Sequence, residues 1–325
     1  MKIRKLAGIL AGTATIFFLS GQASKAQETL KPDATFLFAQ RDSSSLYMDV
    51  YYPADGSEST FLGERKPTIL FVFGGGFKGG HRDGDYQKSW FRLLVEQGFT
   101  VAAIDYRLGL KDVTKMGLGQ ASLLYNSIHM AVEDLYSATN YIIENAEEVD
   151  IDPSNIVISG SSAGAITVLQ ADWEICNSTP LSKMLPEGYR YAGVMSFSGA
   201  IYSKKGKVRY RDLEPAPTLM FHGTDDRIVT YKQISLFNQK FQGTGKISKQ
   251  FISKGYDYNI YRFEGNGHEI AAAMISTFPE QIRWLQTNVM YKEKRTVDAL
   301  VSDPDIEPFT IKDTKTLYGG NVKID

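Results

Sequence analysis

A serine between two glycines is the first feature of this sequence that could carry chemistry. Residues 160–164 read Gly-Ser-Ser-Ala-Gly, a G-x-S-x-G pattern centred on Ser162. The pattern follows a β-branched run at 156–158 and precedes a stretch of small residues. A serine at a sharp strand-to-helix turn is held in a strained, exposed position, and the two glycines relieve crowding around it. The spacing therefore predicts that Ser162 is a nucleophile.

A serine nucleophile needs a general base, and the base needs an acid that orients it. His268 lies just after the apolar run at 258–263, where a parallel sheet presents functional groups at its carboxyl edge. Asp225 and Asp226 follow the preceding apolar run, and the chain order Ser, Asp, His suits such a sheet. We predict that His268 is the base and that Asp226, rather than Asp225, is the acid. His222 is predicted to be a structural residue.

A glycine-rich loop at 74–79 allows two interpretations. Its glycines fit G-x-G-x-x-G, the outline of a dinucleotide-binding loop. In such a loop the helix begins within the motif, because its N-terminus meets the pyrophosphate, whereas here a polar stretch at 80–85 follows. The other interpretation is a loop whose amides bind the negative charge that develops in acyl transfer. We predict this second role for the amides of Gly75, Gly76 and Ala163.

The elements that must position these residues alternate along the chain. Apolar runs predict strands, and apolar residues at helical spacing predict helices. Strands alternating with helices indicate an α/β fold with a mostly parallel sheet and helices on both faces. The predicted strands are 46–52, 68–73, 100–106, 156–158, 193–197, 218–222 and 258–263, and the predicted helices are 86–97, 130–148, 163–171, 231–241 and 270–289.

Composition excludes several classes of protein. The chain has 325 residues, enough for one large α/β domain, and a formal net charge of -1. A balanced charge offers no basic surface for a nucleic acid, so no nucleic-acid partner is expected. Cys176 is the only cysteine, so no internal disulfide is possible, and we expect it to be a small packed residue.

Both termini differ from the central part of the chain. Residues 1–26 have a basic start, an apolar stretch and small residues, which predicts a secretory signal peptide cleaved after residue 26. We therefore expect a protein exported to the periplasm or the medium, with no stable membrane insertion after cleavage. A catalytic domain is predicted at 27–290. Residues 291–325 form a charged C-terminal extension to which the sequence assigns no role.

Five segments, in the same order along the chain, carry a family resemblance. They are FGGGF, DYRL, GSSAG, HGTDDRIV and GNGH. Together they resemble serine esterases of the α/β-hydrolase fold, and most of all the carboxylesterase and hormone-sensitive-lipase-like group. This group includes bacterial carbohydrate esterases that deacylate plant polysaccharides. The resemblance covers roughly residues 46–289. In one departure, Phe73 stands where the family usually has a histidine before the glycines.

The resemblance implies an exported esterase that hydrolyses carboxylic esters with short acyl groups or acyl groups linked to glycans. By it, Ser162, Asp226 and His268 match the triad, and Gly75, Gly76 and Ala163 match the oxyanion hole. No metal or other cofactor is expected. Two alternatives remain open, namely a serine peptidase of the prolyl-oligopeptidase type and a non-catalytic binding module. Candidate substrate-lining residues, chosen for their position next to catalytic segments, are Phe77, Tyr106 and Trp173.

Overall fold

A large β-sheet forms the centre of the fold, with helices packed against it. The computed structural model describes residues 29–41, 44–54, 59–113, 121–236 and 238–302. The helices are α1 (Asp85–Glu96), α2 (Ala121–Glu144), α3 (Ala163–Cys176), α4 (Thr244–Lys254) and α5 (Phe278–Trp284). The strands are β1 (Ala34–Arg41), β2 (Ser44–Tyr51), β3 (Thr60–Phe61), β4 (Glu64–Arg65), β5 (Thr68–Val72), β6 (Val101–Ile104), β7 (Ile156–Ser161), β8 (Gly193–Phe197), β9 (Ala200–Ser203), β10 (Thr218–Gly223), β11 (Gln233–Leu236), β12 (Gln239–Gly243), β13 (Tyr258–Phe263) and β14 (Val297–Val301).

Nine strands form the main sheet in the order β1-β2-β6-β5-β7-β8-β10-β13-β14. β2 is antiparallel to both of its neighbours, and every pairing from β6 to β14 is parallel. Parallel neighbours need crossover connections, which the helices between the strands provide. The predicted mostly parallel sheet with helices is therefore confirmed.

Burial of the central strands explains their sequences. Every residue of β5, β6, β7, β8 and β10 is buried. A strand covered on both faces has a continuous apolar run, and this is the pattern from which these strands were predicted. At the edge of the sheet, β1 instead alternates between more and less exposed residues. All seven predicted strands are present in the sheet.

The helix predicted at 231–241 is wrong, because this segment forms the strands β11 and β12. The two strands pair with each other, and β12 also pairs with β9 in a separate three-stranded sheet. Over so short a segment the apolar spacing fits a helix or a strand equally well. Contacts with distant segments favour the strands, because β12 pairs with β9 and the side chain of Gln242 accepts the Val208 N–H at 2.9 Å. Helix α4 begins only at Thr244.

The helix predicted at 270–289 is divided into three pieces. A short 3₁₀ helix covers His268–Ala272, α5 follows, and a π-helical turn covers Leu285–Met290. Pro279 explains the break, because a proline lacks the N–H that a helix interior requires but is well tolerated in a first turn. It lies in the first turn of α5.

Part of the C-terminal extension belongs to the sheet. β14 pairs in parallel with β13 and adds the ninth strand, so the sheet continues beyond residue 290. Residues 303–325 and the predicted signal peptide at 1–26 lie outside the described residues. Over the ranges that are described, no helix has both the length and the apolar character needed to cross a membrane.

Candidate active site

Ser162 occupies the sharp turn between β7 and α3. Its backbone angles are φ 53° and ψ -112°, a region that side-chain-bearing residues rarely adopt. Gly164 permits the turn, because a Cβ there would lie 1.9 Å from the Val72 carbonyl oxygen. At Gly160 a Cβ would lie 2.3 Å from the carbonyl carbon of Gly164. Close packing of β5, β7 and α3 therefore requires both glycines of the G-x-S-x-G pattern.

Three predicted site residues form one hydrogen-bonded chain. Oγ of Ser162 lies 2.8 Å from Nε2 of His268, and Nδ1 of His268 lies 2.7 Å from Oδ2 of Asp226. All three residues are at least 96% buried, with exposed fractions of 2%, 2% and 4%. Because a carboxylate can only accept, Nδ1 carries the proton and Nε2 is left to accept the serine hydroxyl proton.

Hydrogen-bond donors surround the Asp226 carboxylate. Oδ1 accepts the backbone N–H groups of Ile228 at 2.9 Å and Val229 at 3.0 Å. Oδ2 accepts His268 and also lies 3.2 Å from Nε2 of His222. Burial acts to raise the pKa of Asp226, but hydrogen bonds from the two histidines outweigh it and hold this pKa well below its usual value. The carboxylate therefore stays ionised although it is buried.

Asp225 and His222 flank the acid in sequence but differ in what they contact. Asp225 is exposed, and its backbone N–H donates to the Asn266 carbonyl at 2.9 Å, so it belongs to the turn. His222 was predicted to be a structural histidine, yet it contacts Asp226 directly. Its spacing of four residues before the acid, across a tight turn at a strand end, is the signal that could have identified it.

The glycine loop lies beside the serine turn. A Cβ on Gly74 would lie 3.4 Å from Cβ of Ser162. Gly75 and Gly76 have φ values of 127° and 62°, which favour glycine. Within the described parts of the chain, neither of these two amides donates to another protein atom. Ala163 is the first residue of α3, so its N–H has no partner inside the helix. These three amides are therefore free of the backbone hydrogen bonds that helices and strands would give them.

Aromatic packing supports this loop from below. The ring of Phe73 stacks on Tyr106 with centroids 4.4 Å apart, and the Tyr106 hydroxyl donates to the Phe73 carbonyl at 3.1 Å. A Cβ on Gly80 would lie 2.7 Å from the Phe73 ring. At the position where the resemblance leads us to expect a histidine, the loop is thus held by ring packing and one hydrogen bond.

Charged residues fix the loop to the neighbouring strands. Arg82, at the far end of the loop, donates to Asp105 at 2.7 Å and to Asp49 at 3.2 Å. Arg107 bonds Asp134, a fully buried carboxylate at the middle of α2, at 2.8 Å. In the sequence, the DYRL segment at 105–108 contributes only to the family resemblance. Its two charged residues serve here to tie the glycine loop and α2 to β6.

The three predicted substrate-lining residues do not meet at the serine. Phe77 and Tyr106 are only 1% and 3% exposed, and they pack with each other beneath the glycine loop. Trp173 lies about three turns along α3 from Ser162. Its Nε1 donates to the Arg209 carbonyl at 3.0 Å. Phe77 and Tyr106 therefore support the loop, and Trp173 belongs to another part of the molecule.

An open cavity of about 700 Å³ lies at the opposite edge of the sheet. Its lining includes Asn155, Ala192, Pro217 and Asp257, which precede β7, β8, β10 and β13 by one residue. Ser162, by contrast, follows the carboxyl end of its strand. In an open parallel sheet, ligands bind at the carboxyl ends of the strands. This cavity is therefore separate from the candidate active site.

Comparisons with known proteins show which proteins the chain is similar to in sequence. The BD-FAE family model matches residues 48–172. A fumonisin B1 esterase of Sphingopyxis macrogoltabida is 26% identical over 121 residues, which are 37% of this chain and 21% of that protein. A non-reducing polyketide synthase of Penicillium brasilianum is 28% identical over 144 residues, 43% of this chain and 5% of the synthase. The chain thus spans about a fifth or less of these relatives.

A solved structure is similar to this chain over most of the fold. The propionate-bound form of a thermophilic esterase, Est2 of Thermogutta terrifontis, superposes with a TM-score of 0.53 at 20% identity. The match covers 77% of this chain and 94% of that one. The fold is therefore the α/β-hydrolase fold. In sequence, the chain is similar to the BD-FAE family model over residues 48–172 and, over part of its length, to carboxylesterases and other esterases.

Proposed function

We propose that the protein is a serine esterase, with Ser162 as nucleophile, His268 as general base and Asp226 as the acid that orients His268. The observation that carries the proposal is the 2.8 Å contact between Oγ of Ser162 and Nε2 of His268. It is supported by the strained backbone at the serine and by the ionised, buried carboxylate behind the histidine. The esterases among the relatives favour an ester substrate.

In the acylation step, Oγ of Ser162 attacks the carbonyl carbon of the ester, and its proton passes to Nε2 of His268. Asp226 stabilises the imidazolium and keeps the ring in its orientation. The carbonyl oxygen becomes an oxyanion, which accepts hydrogen bonds from the amides of Gly75, Gly76 and Ala163. The imidazolium then gives its proton to the leaving alcohol oxygen as the ester C–O bond breaks.

Water completes the reaction on the acyl-serine. His268 takes a proton from the water as the water oxygen attacks the acyl carbon, and the same amides bind the second oxyanion. When this intermediate breaks down, the proton returns to Oγ of Ser162 and the carboxylic acid is released. One histidine thus acts as base and acid in both steps.

Short acyl groups are the substrates we propose, on simple alcohols or on acylated glycans. The support is burial, because Ser162 and His268 are each only 2% exposed and Phe77 fills the space under the loop. Such a site leaves little room for a long acyl chain. We also propose that the protein is exported, because residues 1–26 have the composition of a signal peptide. Sequencing the N-terminus of the secreted protein tests this, and an intact residue 1 would contradict it.

The decisive experiment compares two adjacent serines. Wild-type protein, Ser162→Ala and Ser161→Ala are assayed with 4-nitrophenyl acetate, butyrate and octanoate. We expect Ser162→Ala to lose at least about 10³-fold in kcat. Ser161→Ala is the matched control, because Oγ of Ser161 donates to the Ala271 carbonyl at 2.7 Å and not to His268. Equal activity in the two variants would reject the proposal, and faster cleavage of a matched peptide anilide would favour the peptidase alternative.

A further inference from the structure

His222 is a fully buried histidine that the proposed mechanism does not use. It belongs to β10, lies four residues before Asp226 and has a side chain that is 0% exposed. A buried polar ring is costly unless it is hydrogen-bonded. The partners of its two nitrogens therefore indicate which nitrogen carries a proton.

Both ring nitrogens of His222 have polar partners. Nε2 lies 2.9 Å from the carbonyl oxygen of Val229 and 3.2 Å from Oδ2 of Asp226. Both of these oxygens can only accept, so Nε2 must carry a proton. Nδ1 lies 2.8 Å from Oγ1 of Thr244 and, in the neutral ring, accepts the hydroxyl proton. For the neutral ring, the network therefore selects the tautomer with the proton on Nε2.

We propose that His222 is a positioning residue, whose Nε2–H holds Oδ2 of Asp226 where that oxygen accepts the Nδ1–H of His268. The inference rests on the function proposed above for Asp226 and His268. The carboxylate accepts three hydrogen bonds of 3.0 Å or less, and the Nε2–H of His222, which is shared with the Val229 carbonyl, is a fourth donor at 3.2 Å. Turning the carboxylate plane would break contacts on both oxygens, so its orientation is fixed from both sides.

A neutral donor suits this position better than a charged one. When His268 takes the proton of Ser162, it becomes an imidazolium that the Asp226 charge must stabilise. A second cation beside the same carboxylate would oppose this step by like-charge repulsion. The neutral His222 ring orients the carboxylate without adding such a charge.

The test replaces His222 with two amide side chains, and the amide nitrogen of each one imitates a different nitrogen of the ring. In His222→Gln the terminal amide nitrogen reaches the place of Nε2, so the donor to Asp226 is kept. In His222→Asn the shorter amide reaches only toward Thr244, so this donor is lost. Each variant is examined by steady-state kinetics with 4-nitrophenyl acetate, by thermal unfolding, and by proton NMR of the hydrogen-bonded His268 Nδ1–H.

We expect His222→Asn to lose about 10- to 100-fold in kcat with little change in KM, the size expected for one hydrogen bond to a charged group. His222→Gln should keep kcat within about 3-fold of wild type. The downfield His268 Nδ1–H resonance should persist in the Gln variant and shift or broaden in the Asn variant. Equal losses in both variants, in step with lower thermal stability, would overturn the proposal in favour of packing alone.

A second pair of variants serves if His222→Asn does not fold. Thr244→Val removes the hydroxyl that anchors the His222 ring through Nδ1, and Thr244→Ser keeps it. We expect a broadened His268 resonance in the Val variant only, and an unchanged resonance in it would overturn the proposal. Because the NMR signal needs no ester turnover, an inactive wild type would reject the esterase function, while the resonances would still decide the role of His222.

Discussion

Helix α3 has a buried carboxylate near each of its ends, and the two carboxylates have opposite surroundings. At the N-terminal end, Asp226 reaches Ser162 through His268 and has four donors within 3.2 Å. Near the C-terminal end, Asp172 has longer contacts, to the Ala216 N–H at 3.3 Å, the Cys176 thiol at 3.7 Å and Arg190 at 3.9 Å. Burial raises the pKa of Asp172 to about 6, and Arg190 offsets only part of this.

The difference shows that donors, rather than burial, decide whether a carboxylate stays charged. Both side chains are almost completely removed from water. Several short hydrogen bonds stabilise the ionised form of Asp226, whereas desolvation dominates at Asp172. The C-terminal end of a helix also carries partial negative charge, which further disfavours an anion there. Of these two carboxylates, only Asp226 therefore has the short hydrogen bonds that keep it ionised.

The largest expected effect comes from removing the charge of Asp226, and removing the charge of Asp172 serves as the control. Asp226→Asn should reduce kcat for 4-nitrophenyl acetate by about 10³- to 10⁴-fold, because an amide favours the wrong imidazole tautomer of His268. Asp172→Asn is the matched control at the other end of α3 and should leave kcat unchanged within error. Similar losses in the two variants would mean that the ends of the helix do not differ in function.

A methyl group on Gly164 tests how tightly the N-terminal end is packed. We expect Gly164→Ala to lower the free energy of unfolding by about 3 kcal/mol or more, since the added Cβ meets the Val72 carbonyl oxygen. Gly79→Ala is the control, because a Cβ there meets no atom within 4 Å. Urea denaturation measures both, and a stable Gly164→Ala variant would refute the close approach of α3 to β5.

The pH dependence of stability tests the C-terminal end. Folding raises the pKa of Asp172 from 3.8 to about 6, so the folded state binds more protons between these values. The contribution of Asp172 to the free energy of unfolding is therefore fully present below about pH 4. It is lost as pH rises to about 6, and the loss is at most about 3 kcal/mol.

Asp172→Asn lacks this titration. Relative to wild type, it should gain thermal stability between pH 4 and pH 7. The experiment compares the two melting temperatures at each pH. A difference between the proteins that stays constant with pH would show that Asp172 does not titrate in this window.

The smallest expected effect concerns the support of the glycine loop. Tyr106→Phe keeps the ring stacked on Phe73 but removes the hydroxyl that donates to the Phe73 carbonyl. We expect a loss of about 1 kcal/mol in unfolding free energy and no more than a few-fold loss in kcat. Thermal unfolding and ester kinetics measure the two quantities. A large loss of activity would show that the single hydrogen bond, rather than ring packing, orders the loop.

Local patterns predicted much of the fold, and pairing between distant segments decided the remainder. The segments at 193–197 and 258–263 were predicted as strands with the ends that β8 and β13 have, because β8 is mostly apolar and buried and β13 is rich in aromatic and β-branched residues. The segment at 231–241 was misassigned, because its spacing fits two periods and its pairing with β9 is not visible locally. Trp173 was chosen for its nearness in sequence, yet the rise of α3 carries it away from Ser162.

By itself the sequence determined the order of the elements, the strained turn at Ser162 and the candidates for base and acid. These follow from the sterics and polarity of neighbouring residues, which any local segment displays. Only the tertiary structure decided that His222 contacts the Asp226 carboxylate and that Phe73 packs under the loop. The contacts from His268 span 106 residues to Ser162 and 42 to Asp226. Such contacts form only when the sheet aligns its carboxyl ends.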